Sequence, residues 1–369
     1  MAKYTQKLAN MRSRRLGADS AAFSANFREA VALKSLSEQY ETEAYETRAK
    51  SEAVKYALGA MQALDKKYTE ISFQEGDRVK NQLALGLEGA EIPVKFEYQG
   101  SVPLDIHIRR ASDIDLLVLH DAFVTVDNTG SRASAYRTLP GSVLGDMLAL
   151  RSRCESILVQ KFPAATVDQS GSKSISLSGG SLQRKIDVVP SHWHDTAAYQ
   201  ASREKHDREV RVLDKHKSSL LTNRPFLHMR RIEEKDMRTN GGTKKVIRLL
   251  KNLRRDSSRD IKLSSYDIAA LVWHFNDQAL TKPYYLELSL VAEVQGYLKA
   301  LVDNLEFAKT LDVPDLSRKI IDSNEKVLSL RTLKAEIDEL AADIVRELEP
   351  IYLDSQEFIR KSLVEAQVF

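Results

Sequence analysis

The chain has 369 residues, enough for one large or two modest domains with a real core. Its hydrophobic content of 43% and charged content of 29% are those of an ordinary soluble globular protein, and no apolar run approaches the roughly 18 residues of a membrane span. A net charge of +3 speaks against a general nucleic-acid binder, and the single cysteine, Cys154, excludes an internal disulfide and a cysteine-based zinc site, which fits a reducing cytosol.

Residues 1 to about 20 carry Lys3, Lys7, Arg12, Arg14 and Arg15 without an apolar h-region, so a secretory signal is not expected. The segment reads as a frayed tail or a basic arm. From Ser20 to Gly89 there is no proline, and good helix formers dominate. Phe27, Val31 and Leu33 open an apolar stripe; Val54, Leu58, Met61 and Leu64 continue one at helical spacing. Tyr40, Tyr45 and Tyr56 read as packing residues. A helix over Asp65 to Leu87 leads into the first strand, with Gly86 and Gly89 marking its end.

Pro93 to Gln99 predicts strand one, and Gly100-Ser101 a turn whose N–H groups and hydroxyl suit a phosphate. Asp113 to Leu119 predicts strand two. Side chains alternate along a strand, so Asp113 and Asp115 share one face, a preformed site for a hard cation such as Mg²⁺. Arg109 and Arg110 precede the pair and are either surface charges or a source of positive potential near a triphosphate. Thr125 to Pro140 is a polar loop, and Ser142 caps a helix through Phe162 that buries Met147, Leu150 and Ile157, with Cys154 packed passively inside it.

Ala165 to Asp168, Ser172 to Leu177 and Gln183 to Val189 predict three further strands, the last two as a hairpin around Gly179-Gly180. Lys185, Asp187 and Val189 share a face. If this strand lies beside strand two, Asp187 joins Asp113 and Asp115, and three carboxylates can hold two metals roughly 4 Å apart for in-line displacement at phosphorus. His192 and His194 sit at a spacing that permits zinc, but no further ligand spacing completes a set, which leaves packing, surface or cleft-lining roles.

Residues 228 to 262 hold twelve Lys and Arg against five Asp and Glu. Lys244, Arg248, Lys251 and Arg255 recur on one helix face, with Val246, Leu249, Leu250 and Leu253 opposite, which predicts a buried side and a cationic ridge able to bind polyphosphate or nucleic acid over 244–255. Ser264 or Ser265 caps the next helix, whose start suits a phosphate, with Tyr266 placed to stack a base. The remainder reads as a helical bundle. Leu333, Ile337, Leu340 and Ile344 form its apolar face, and Glu336, Asp338, Glu339 and Asp343 make the rest acidic.

Gly-Ser, about eleven residues, Asp-x-Asp and a later single Asp together resemble the polymerase-β-like nucleotidyltransferase superfamily. The words QGS, SDID and KIDVVP resemble the cGAS/DncV-like nucleotidyltransferases (CD-NTases) and the oligoadenylate synthetases. The resemblance covers about residues 60 to 285. It implies an α+β fold: a mixed-sheet core over about 61–225, a helical C-terminal lobe over 226–369 and a basic tail with helices over 1–60. Substrate would sit between the lobes. It implies Asp113, Asp115 and Asp187 as catalytic residues and ligands of two Mg²⁺ ions, with Mn²⁺ an alternative. It also implies nucleotide contacts from Gly100, Ser101, Ser112, Lys251, Ser265 and Tyr266. Val102-Pro103 and Ile108-Arg109-Arg110 depart from the family pattern and leave the acceptor pocket open.

The implied reaction makes a cyclic or linear oligonucleotide signal from NTPs in bacterial antiphage defence. A separate effector would bind the product; no membrane is involved. The rivals are a synthase of linear DNA or RNA oligomers from NTPs or dNTPs, an RNA-end transferase, and a catalytically silent nucleotide sensor.

Overall fold

The structure, a computed structural model, describes residues 3–16, 43–109 and 112–369. The expectations for Phe27, Val31, Leu33, Tyr40 and Arg110 lie outside the described residues. The chain divides into two compact units: Asp65–Glu233 with Pro314–Ser317, and Met1–Leu64 with Glu234–Val313 and Arg318–Phe369. The segment before residue 61 is thus counted with the helical unit. No described helix is long and apolar enough to cross a membrane.

The first unit is built on a mixed sheet. Its described strands are β1 (Val94–Gln99), β2 (Ile114–Val126), β3 (Thr166–Asp168), β4 (Ile175–Gly179), β5 (Leu182–Asp195), β6 (Glu209–Asp214) and β7 (Ser219–Asn223). The order is β1-β2-β5-β4-β3, with β6 on β5 and β7 on β6. β2 and β5 are parallel, and the other pairs are antiparallel. Period-2 alternation sends Ile114, Leu116 and Val118 of β2, with Ile186 and Val188 of β5, into one core beneath the helices Lys66–Glu88 and Val143–Lys161. Leu117, Leu119 and Val189 enter a smaller cluster with Trp193, Val210 and Phe226 on the other face. The caps match their residue types: Asp65 accepts from Lys67 N, and Ser142 from Gly145 N.

Two parts of this unit depart from expectation. β2 and β5 run on to Val126 and Asp195, so His192 and His194 are strand residues. His192 is fully buried, packs its ring on Phe123 at 5.1 Å, and places Nδ1 2.9 Å from the Trp193 carbonyl. Packing is therefore its role. The β6–β7 hairpin went unforeseen, because the turn between its strands, KHKS, lacks glycine or asparagine.

The second unit is helical. Its first described helix, Lys3–Leu16, replaces the expected frayed tail. Tyr4, Leu8 and Met11 form a buried stripe at helical spacing, and the basic residues meet acids. Lys7 bonds Glu336 at 2.5 Å, Arg12 bonds Glu46 at 2.5 Å, Arg14 forks onto Asp256, and Arg15 bonds Glu43 at 2.7 Å. A basic arm offered to nucleic acid is not what these contacts describe. Tyr45 and Tyr56 are buried, as packing residues should be.

The helix Gly242–Asp256 lies at the centre of this unit, and the expected cationic ridge is exposed only in part: Arg255 is exposed and Lys244 half-buried. Arg248 and Lys251 are buried along with Val246, Leu249, Leu250 and Leu253. The Arg248 Nε donates to the Met61 carbonyl at 2.7 Å, so its charged head is satisfied inside the bundle. Glu336, expected on an acidic face of the helix Asn324–Leu348, is likewise fully buried. It accepts from Lys7, Ser257 and Arg259. Burial pushes its carboxyl up, but those donors outweigh burial and hold it down at about 2.

Candidate active site

β2 and β5 run side by side, and Asp115 and Asp187 are Cα partners across them. Asp113 lies just before β2 on the same face as Asp115. Gln99, the last residue of β1, pairs with Asp115 from the other side, so the turn after β1 falls against that carboxylate. Gly100 there has φ +81°, and a Cβ on it would lie 2.4 Å from Asp115 Oδ2. Both the conformation and the space require glycine.

The turn itself is folded inward. Ile106 N donates to the Ser101 carbonyl at 3.1 Å, and Val102, Leu104 and Ile106 are buried. An apolar Val102 is what this packing asks for at that position. Ser112 Oγ accepts from Ile108 N at 3.0 Å, which ties the loop to the residue before Asp113.

Lys185 is the residue that motif reading placed on this face without assigning it a part. Its Nζ stands 2.8 Å from Asp113 Oδ2 and 3.2 Å from Asp187 Oδ2. Burial works against the ammonium, yet the two carboxylates outweigh it and hold its pKa above the ordinary lysine value. Ser176 on β4 donates to the other oxygen, Asp187 Oδ1. Among the described residues no three carboxylates, imidazoles or thiols converge as a ready-made metal cage. The expected preformed site is therefore a set of oxygen donors bridged by an internal ammonium. That chemistry still fits a hard divalent ion: carboxylate oxygens on adjacent parallel strands, already arranged about a positive charge.

On the helix Lys66–Glu88, Tyr68 carries two guanidiniums, Arg184 at 3.5 Å and Arg109 at 4.5 Å from its ring centroid. Arg184 also donates to the Tyr68 hydroxyl, and its neighbouring backbone N–H groups are held by Glu75. No motif word signalled this cluster, since Tyr68 lies on a helix far away in sequence.

The other expected nucleotide contacts belong to the helical unit. Lys251 is buried on the central helix. Ser264, rather than Ser265, caps the helix Ser265–Trp273, in a reciprocal box with Asp267. Asp267 is buried and also bonds Arg318 and Lys326, so the helix start that carries Ser265 and Tyr266 is firmly held. The Arg318 guanidinium sits 5.8 Å from the Tyr266 ring centroid.

A sheet of this order, with acidic residues paired across two parallel central strands and a Gly-Ser turn against them, defines a polymerase-β-like nucleotidyltransferase. Residues 230–341 match the cGAS/DncV-like nucleotidyltransferase C-terminal helical domain. The chain is 40% identical over 311 residues to the cyclic dinucleotide synthase CdnE of Yersinia aleksiciae, covering 83% of this chain and 81% of that protein. It is 32% identical over 273 residues to a c-di-GMP synthase of Lachnospiraceae bacterium (strain RUG226), covering 65% of this chain and 77% of the relative. The structure is similar to that of the STING-associated CdnE c-di-GMP synthase from Capnocytophaga granulosa, with a TM-score of 0.68 and 25% identity over 91% of this chain and 97% of the other. The chain belongs to the cGAS/DncV-like nucleotidyltransferases, the CD-NTases, and is an enzyme of that class.

Proposed function

We propose that this nucleotidyltransferase makes a cyclic dinucleotide from NTPs, with GTP a substrate, using Asp113, Asp115 and Asp187 as its catalytic carboxylates. The observation that carries this is the pairing of Asp115 with Asp187 across parallel strands, with Asp113 joined to Asp187 through Lys185. The choice of product follows the names of the relatives: a cyclic dinucleotide synthase at 40% identity and a c-di-GMP synthase at 32%.

In this mechanism Asp113, Asp115 and Asp187 would hold Mg²⁺ or Mn²⁺, which would supply Lewis acidity at the phosphate and make the attacking hydroxyl more acidic. Gly100 and Ser101 cradle the donor phosphates through the turn, where the absent side chain lets the backbone approach. A ribose hydroxyl attacks the α-phosphorus; the new O–P bond forms as the bond to pyrophosphate breaks. Asp187, oriented by Ser176, takes the hydroxyl proton and passes it to water. A second transfer within the linear intermediate closes the ring. Lys251 and Ser265 contact the triphosphate and Tyr266 stacks the donor base, on the strength of the family resemblance. The enzyme works in the cytosol, and a separate effector in antiphage defence senses its product.

The test is incubation of purified protein with each labelled NTP and dNTP plus Mg²⁺ or Mn²⁺. A phosphatase-resistant product of two nucleotides is expected. A phosphatase-sensitive ladder would mean linear synthesis, products only with added RNA an end-transferase, and no product under any condition a silent sensor.

A further inference from the structure

We infer that Lys185 is an internal counter-cation, occupying the place of a metal ion between Asp113 and Asp187, which a divalent ion must displace to bind. The inference rests on the reading of these carboxylates as metal ligands. Lys185 Nζ contacts Asp113 Oδ2 and Asp187 Oδ2 at 2.8 and 3.2 Å. An ion bridging the two aspartates takes those same oxygens at about 2.0–2.1 Å for Mg²⁺, leaving no oxygen contacts and strong like-charge repulsion for an ammonium in the same place.

The side chain is able to leave. Lys185 is 43% exposed while Asp187 is 17% exposed, so the ammonium reaches in from the solvent side on a flexible four-carbon stem. Asp187 stays behind, because Ser176 holds its other oxygen. Without metal the ammonium relieves the repulsion between the two carboxylates. The consequence is competition: free metal ion binds more weakly than the bare carboxylates permit. A metal arriving with a triphosphate binds with less penalty, since the phosphates give the displaced ammonium a new anionic partner. Lys185 thereby favours the metal–nucleotide complex over the metal alone.

The experiment measures Mn²⁺ binding to nucleotide-free protein, by the electron paramagnetic resonance signal of free Mn²⁺, together with thermal unfolding with and without the ion. Lys185→Met and Lys185→Gln are expected to tighten Mn²⁺ binding about fivefold to tenfold, the size set by two partly exposed ion pairs. Both variants should melt below wild type without metal, with the gap closing at saturating Mn²⁺. Lys205→Met makes the same charge change at a lysine paired with Glu97 in the same unit, and should leave the affinity within about twofold. Unchanged or weaker Mn²⁺ binding in the Lys185 variants overturns the inference, and so does equal tightening by Lys205→Met, which would be a general charge effect. Asp113→Asn separates the two levels. Its weakened Mn²⁺ binding supports the carboxylate site whatever Lys185 does, and binding equal to wild type overturns that reading and this inference together.

Discussion

Asp115 and Asp187 stand directly opposite each other on parallel strands, and Gly100 closes over Asp115 with no room for a Cβ. Backbone register sets the pair's positions, and Ser176 and Lys185 hold the Asp187 carboxylate in addition. A single carboxylate can therefore be changed without loosening the sheet. Asp115→Asn and Asp187→Asn are expected to lower product formation by at least about 10²-fold, the scale for removing one transition-state electrostatic contact. The midpoint of unfolding should move by only a few degrees. Initial rates with labelled NTP, alongside thermal melts, check both halves.

Gly100→Ala tests the close approach. The new methyl meets Asp115 Oδ2 at 2.4 Å, and the residue must keep φ +81°. The backbone strain costs about 1–2 kcal/mol, and either the turn or the carboxylate shifts. A large loss of activity with a modest drop in unfolding free energy is expected, measured by product assay and urea denaturation of the same preparation. Wild-type activity would mean that the turn is not pressed against the site.

Glu336 anchors the helical unit. Replacing it by Gln leaves Lys7 and Arg259 facing a neutral group, and the expected cost is about 3–5 kcal/mol, as for breaking a buried ion pair. Its carboxyl titrates at about 2 in the folded protein against 4.5 in its absence. Its stabilising effect is therefore complete above pH 4.5 and drains away as the pH falls from there towards 2. The gap between the urea midpoints of wild type and Glu336→Gln should be narrower at pH 3.5 than at pH 7.

His192 gives stability a second pH dependence, in a higher window. Burial holds its imidazole down at about 4, against 6.5 when exposed. Above pH 6.5 both states are neutral and nothing changes. As pH falls from 6.5 to 4 the unfolded chain takes up the proton first, and stability drops by on the order of 3 kcal/mol. His192→Leu should flatten that part of the profile. An unchanged slope in denaturation midpoints between pH 7.5 and 5 would place the titration elsewhere.

What the sequence determined by itself was whatever depends on neighbours along the chain. Alternation put Asp113 and Asp115 on one face and Leu116 inside. Ser142 capped its helix, and the family words carried Asp187 to the same site as the pair. Other features depended on partners far away in sequence, and only the tertiary structure decided them. Amphipathic spacing assigns a charged face to water by default, yet Arg248 is buried with its Nε donating a hydrogen bond to the Met61 carbonyl. The basic N-terminal segment became a packed helix because Glu336 meets Lys7. Lys185 came to lie between two aspartates because parallel pairing of β2 and β5 set the register. A side chain's surroundings are fixed by which strands and helices come to lie against it, and that pairing is decided by burial summed over the whole core rather than by any local pattern.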